Sequence, residues 1–162
     1  MFVGVAIGCG LLAVGVGGRY LLFTSADDAA VKQAVLISDS GFEQSASGIC
    51  KQYVHIFDTA TTLSKQPTQV QAGDFVEAIA GQFDAMVVQL KTLPVAPADQ
   101  AAVSQWFADW DAYNAYGHQY AGAVRSGSER DLVVADSKRI GALRRHRNGF
   151  ARANHMAACA FS

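Results

Sequence analysis

Four stretches of this chain set large apolar side chains at steps of three and four, and Pro or Gly punctuation separates most of them. Such steps return to one side of an α-helix, so each stretch reads as a helix with a single apolar face. In the first, Ile49, Tyr53, Ile56, Phe57, Ala60 and Leu63 line up before Pro67 and Thr68 end the pattern. The second, residues 73–93, carries Phe75, Ile79, Phe83, Met86, Leu90 and Leu93 close to a heptad register. Pro94 and Pro97 break it, and Pro97 suits the first turn of a following helix. That third stretch, 98–126, aligns Val103, Trp106, Phe107, Trp110, Tyr113, Gly117, Tyr120 and Val124. Ser126-Gly127-Ser128 ends it, with Glu129 and Asp131 in the first turn of the fourth, 129–159, which carries Leu132, Val133, Ile140, Leu143, Phe150 and Met156. No segment alternates as a half-buried strand does. The pattern predicts an all-α fold, an antiparallel up-down-up-down four-helix bundle over residues 49–162.

The chain is 51% hydrophobic and 17% charged, and the apolar excess is concentrated at the N-terminus. Residues 1–18 hold no charged side chain, and Tyr20, Leu21, Leu22 and Phe23 extend the run past Arg19. A bilayer core needs about 20 helical residues, so residues 2–23 predict a transmembrane helix, with Arg19 snorkelling to the head groups. A cleaved signal peptide is the alternative, but nothing basic precedes the run. Residues 1–24 are therefore expected to be an anchor. Residues 25–48 are expected to be a helical extension followed by a turn-rich linker at 38–48. Gly4 and Gly8 form a GxxxG pair that lets membrane helices approach closely.

Cys9 falls in the apolar run, while Cys50 and Cys159 stand at the two ends of the bundle. A bridge between these two would tie down the C-terminus and place the domain in an oxidising compartment. Two buried reduced thiols are the alternative. The expected location is the cell membrane, single-pass, with the C-terminal domain extracytoplasmic. Cys50, the Leu93-Pro94-Val95-Ala96-Pro97 turn, Trp106 and the ending Asn154-His155-Met156-Ala157-Ala158-Cys159 resemble small cell-envelope proteins of actinobacteria. That resemblance implies an exported helical domain, anchored by a lipid or a helix, and implies no activity.

The four histidines, His55, His118, His146 and His155, show neither the i, i+4 spacing of a zinc helix nor a Glu-x-x-His. Phosphate-loop, dinucleotide and serine-nucleophile motifs are missing too, so no metal, cofactor or catalytic residue is predicted. Two features point to contacts instead. The aromatic row Trp106, Trp110, Tyr113 and Tyr116 is wider than one buried face requires and offers an interaction surface. Charge is also uneven: from Arg125 onward there are eight basic and three acidic residues, a net +5, against five basic and eleven acidic before it, a net −6. Arg139, Arg144, Arg145 and Arg147 carry this basic helix, which suits anionic lipid head groups or an acidic partner. Nucleic acid is not expected.

These features predict a non-enzymatic accessory or scaffold subunit that caps a larger membrane protein complex from the extracytoplasmic side. The alternative is a small-molecule or cofactor carrier or sensor in the cell envelope, with Tyr53, Trp106, Trp110 and Tyr120 lining the site.

Overall fold

Asp39 starts the first helix: its Oδ1 accepts the Phe42 N–H at 3.0 Å, leaving Phe42 aimed into the interior at 2% exposure. The computed structural model describes residues 34–59 and 67–161. Within them the chain forms α1 (Ser40–Thr59), α2 (Gln69–Lys91), α3 (Gln100–Ser126), α4 (Glu129–Ala153) and a 3-10 turn (Ala157–Cys159). No strand occurs among the described residues, and the four-helix bundle expected from periodicity is present.

Two boundaries differ from the sequence reading. The first helix begins at Ser40 rather than Ile49, so residues 40–48 are helix and not linker. Their Ser and Gly content suggests turns, but Phe42, Ala46, Cys50 and Tyr53 fall on one face and are all buried. Burial of that stripe outweighs weak local propensity. The fourth helix ends at Ala153 rather than running to Cys159. Asn154, fully buried, donates to Val35 and Phe150 carbonyls and accepts the Ile37 N–H at 2.9 Å. His155 follows in the left-handed region at φ 55°, which turns the chain so that Met156 and Cys159 point inward.

The expectation of a single-pass membrane protein is corrected. Among the described residues no helix is long and apolar enough to cross a membrane. Each helix is amphipathic and carries charged side chains on the side away from the core, so none offers an unbroken apolar surface to lipid. The run at 2–23 on which the expectation stood, with Gly4, Gly8 and Cys9, lies outside the described residues.

The helices enclose two apolar clusters. The larger joins Phe42, Cys50 and Tyr53 of α1, Phe83, Met86 and Leu90 of α2, Val103, Trp106 and Trp110 of α3, and Phe150, Met156 and Cys159. Trp106 is its hub: it stacks on Phe150 at 5.4 Å, meets Phe42 and Trp110 edge-on, and donates through Nε1 to the Arg147 carbonyl at 3.2 Å. The smaller cluster joins Val76 of α2 with Tyr116, Tyr120, Ala121 and Val124 of α3, and Leu132, Val133 and Ile140 of α4 rest on its edge half-buried. Helices α2 and α3 pack most closely where Gly73 meets the Ala121 backbone.

The predicted Cys50–Cys159 bridge is formed, with a Cα–Cα distance of 5.1 Å. It has a specific architectural task. Helix α1 packs on α2, α4 packs on α3, and the 3-10 turn touches both α1 and α4 and so closes the ring between them. The corner above is sealed by two carboxylates. Asp39 Oδ2 accepts the Ala96 N–H at 3.1 Å, while buried Asp99 turns away from capping α3 and accepts both backbone N–H groups of Ser38 and Asp39. The Phe42 N–H bond, followed by those of Ala96 and Gly41, holds the Asp39 pKa below its ordinary value despite an opposing desolvation effect.

This packing makes three outcomes testable. Replacing both Cys50 and Cys159 by Ala opens a loop closed over 109 residues, and denaturant titration should show a loss of about 4–5 kcal/mol. An unchanged midpoint would show that the turn docks without the bridge. In the same assay Gly73→Ala should cost about 1–3 kcal/mol, because its Cβ would lie 2.3 Å from Arg125 Cγ and 2.8 Å from the Ala121 carbonyl oxygen. Gly81→Ala, with nothing within 4 Å, should gain about 0.5–1 kcal/mol.

Candidate functional site

Helix α4 changes character along its length. From Arg147 to Ala151 every residue is buried, whereas none from Glu129 to His146 is. The apolar side chains of this first part, Leu132, Val133, Ile140 and Leu143, are half-buried against α3, and Val134 is 72% exposed. A helix turns 100° per residue, which places Arg130, Lys138, Arg144 and Arg145 along one side of α4, bordering the seam with α3. None of these four has an ion pair among the described residues. Asp136 lies on another side and is taken by Arg139, 3.1 Å away. The basic side of α4 is thus an uncompensated stripe beside half-covered apolar residues.

Of the residues expected to form an interaction surface, the structure places several inside. Trp106 and Trp110 are 1% and 0% exposed and belong to the core, so they present no surface. Tyr116 is buried in the smaller cluster, stacked on Tyr120 at 6.2 Å. Tyr113 is half-buried. Of the arginines, Arg144 and Arg145 are half-exposed on the basic side, and Arg139 is exposed but paired. The four residues expected to line an internal ligand site divide between the two clusters: Tyr53, Trp106 and Trp110 in the larger, Tyr120 in the smaller.

Arg147 departs most from its expected place. It is 1% exposed, and its guanidinium lies between two rings, 3.9 Å from the Trp110 centroid and 4.1 Å from that of Tyr113. Such a stack recovers part of the solvation lost on burial. Nη2 donates to Asn148 Oδ1 and to the Phe161 carbonyl at 3.1 Å, so this arginine also pins the C-terminal tail. Nη1 is buried with no acceptor among the described residues. Burial pushes its pKa down to about 10, with the neighbouring Arg144 charge acting in the same direction and Tyr113 and Asp109 opposing. It therefore remains a cation at neutral pH. Sequence periodicity contains the signal for this placement: Ile140, Leu143, Arg147 and Phe150 continue one stripe at steps of three, four and three.

Between α3 and α4 opens a cleft of about 260 Å³. Tyr113 and Tyr116 form one wall, and Val133, Ser137, Ile140, Gly141 and Arg144 form the other. The cleft is therefore apolar in its walls with one cation at its edge, and the Tyr113 wall is backed by Arg147. Beside it, His146 pairs through Nδ1 with buried Asp109, whose other oxygen accepts from Gln105 at 3.2 Å.

On the α2–α3 seam His118 is held at both ring nitrogens, Nδ1 2.7 Å from Glu77 and Nε2 2.7 Å from Asp84. Arg125 reaches Asp74 at 2.9 Å and Glu77 at 3.8 Å. The two nitrogens point to different carboxylates, and no metal-holding group of three His, Cys, Asp or Glu side chains exists among the described residues. The arrangement is a strut between helices.

Compared with protein-family models, curated proteins and solved structures, the chain matches none. The likeness to actinobacterial envelope proteins rests on the sequence pattern alone.

The bonds to Asp84, then Glu77, raise the His118 pKa above its ordinary value near 6.5 despite partial desolvation. A raised folded-state pKa stabilises fully below the unfolded value and loses that contribution as pH rises through the folded value. The stability difference between the wild type and His118→Gln should therefore shrink from about pH 6 toward pH 9, read by urea midpoints. A pH-independent difference would show that the imidazole acts by packing alone.

Proposed function

We propose that this chain is a non-enzymatic accessory subunit: a disulfide-locked helical frame that presents the basic side of α4 to an acidic protein surface within a larger assembly. One observation carries the reading. Residues 129–146 of α4 form a continuous helix with no buried residue, four half-buried apolar side chains and four cations without ion pairs among the described residues. A helix held by so little packing retains its shape through its rigid continuation at 147–153 and gains most from a partner. The partner would neutralise Arg130, Lys138, Arg144 and Arg145 and cover the apolar edge beside them.

The bridge supports the frame half of this reading. It fixes the far end of α4 to α1 independently of whatever meets the near end, and bridges of this kind persist where the surroundings are oxidising. Acidic protein is favoured over lipid because the cations form a single narrow stripe and the apolar residues beside them stay half-covered by α3.

The triple variant Arg130→Glu, Lys138→Glu, Arg145→Glu tests the proposal. The tagged oxidised wild type, purified from the native cell at low ionic strength, should bring down a defined acidic protein and release it as salt rises. The variant should lose that protein while its thermal midpoint stays within a few degrees, since exposed substitutions usually move stability by about 0.5 kcal/mol or less. Retention of the same protein by the variant, or elution of the wild type alone, would overturn it; binding to anionic vesicles instead would assign the stripe to lipid.

A further inference from the structure

From the α3–α4 cleft, which shares Arg144 with the docking stripe, we infer a second capacity: it is a binding site for a small amphiphilic carboxylate, its apolar body between the tyrosines and Ile140 and its carboxylate on Arg144. The argument starts from the walls. Tyr113, Tyr116, Val133 and Ile140 give flat and branched apolar surface. Small-ligand sites have this make-up, predominantly apolar with a few placed polar groups. At about 260 Å³ the space suits a short-chain or single-ring acid, near the lower end for such sites.

The sign of the ligand follows from the two arginines. Arg144 lines the cleft and has no carboxylate partner among the described residues. Arg147 stacks on Tyr113, which lines the cleft, and is 1% exposed with Nη1 lacking an acceptor among the described residues. A buried guanidinium is ordinarily matched by a carboxylate. Here the aromatic rings of Trp110 and Tyr113 and the Asp109 charge supply part of the match. An anionic head group beside Arg144 would answer the charge that lines the cleft through hydrogen bonds. Ser137, on the same wall, supplies a hydroxyl donor within the cleft. A cationic ligand is disfavoured by the same two charges, and a neutral alcohol gains only the apolar contacts.

Isothermal titration of the full oxidised chain with octanoate, 1-octanol and octylamine tests the inference. Octanoate should bind saturably at one site per chain, octanol at least about tenfold more weakly, and octylamine not at all. Arg144→Gln should weaken octanoate by about tenfold or more without moving the octanol affinity. Ile140→Trp, which fills the cleft, should abolish both. Arg130→Gln removes an equal charge from a stripe residue that does not line the cleft and should leave octanoate binding as it was. Absence of saturable octanoate binding, equal affinity for octanol, or equal losses in Arg130→Gln and Arg144→Gln would each overturn the proposal. Should Ile140→Trp fail to fold, Ser137→Leu narrows the same cleft from an exposed position and is expected to give the same loss.

Discussion

The bundle is a ring only because its C-terminus returns to its beginning. Helices α1 and α4 each have a neighbouring helix on one side, and the space between them is filled by the 3-10 turn bearing Cys159. The covalent link to Cys50 holds that turn in place. Polar anchors reinforce this closure: Asn154 gripping residues 35 and 37, Arg147 and Asn148 gripping the Phe161 carbonyl, and Asp39 and Asp99 locking the α2–α3 corner to the start of α1. Residues 35–37 and Phe161 are therefore fastened to the same end of α4.

This concentration of fastening makes α4 two-sided along its axis. Its last two turns are core. Its first five turns lean on α3 through the edges of Leu132, Val133, Ile140 and Leu143, with a basic side left open. Stability and availability for binding are thereby assigned to different segments of one helix, so a partner at the open segment need not disturb the closure. The cleft lies along the open segment, and the Arg144 that lines it stands about one turn before the buried Arg147.

Much of the fold was legible in the sequence. The periodic stripes located four helices, the Pro and Gly breaks located two of the turns, and two cysteines at the ends of the domain suggested the bridge. Less legible were features in which a tertiary contact overrides local composition. Residues 40–48 read as a linker because Ser and Gly are frequent there, while their helical state depends on Phe42 and Ala46 reaching the core. Arg147 read as surface because arginine usually is, although its position in the Ile140–Leu143–Phe150 stripe already placed it inside. The width of the aromatic row on α3 suggested an exposed surface. It is instead the width of a helix that packs on two neighbours, with Trp106 and Trp110 turned to the larger cluster and Tyr116 and Tyr120 to the smaller. The Glu77–His118–Asp84 strut had no sequence signature, because its partners lie on different helices.

The central claim is that one helix carries both a fixed half and an open half. Native-state hydrogen exchange on the oxidised chain measures this directly, residue by residue along α4. Backbone amides at 147–153 should exchange only with global opening, at rates shared with α1 near Cys50. Those at 133–143 should exchange at least about tenfold faster through local opening. Uniform protection along α4, or protection of 133–143 equal to that of 147–153, would contradict the account.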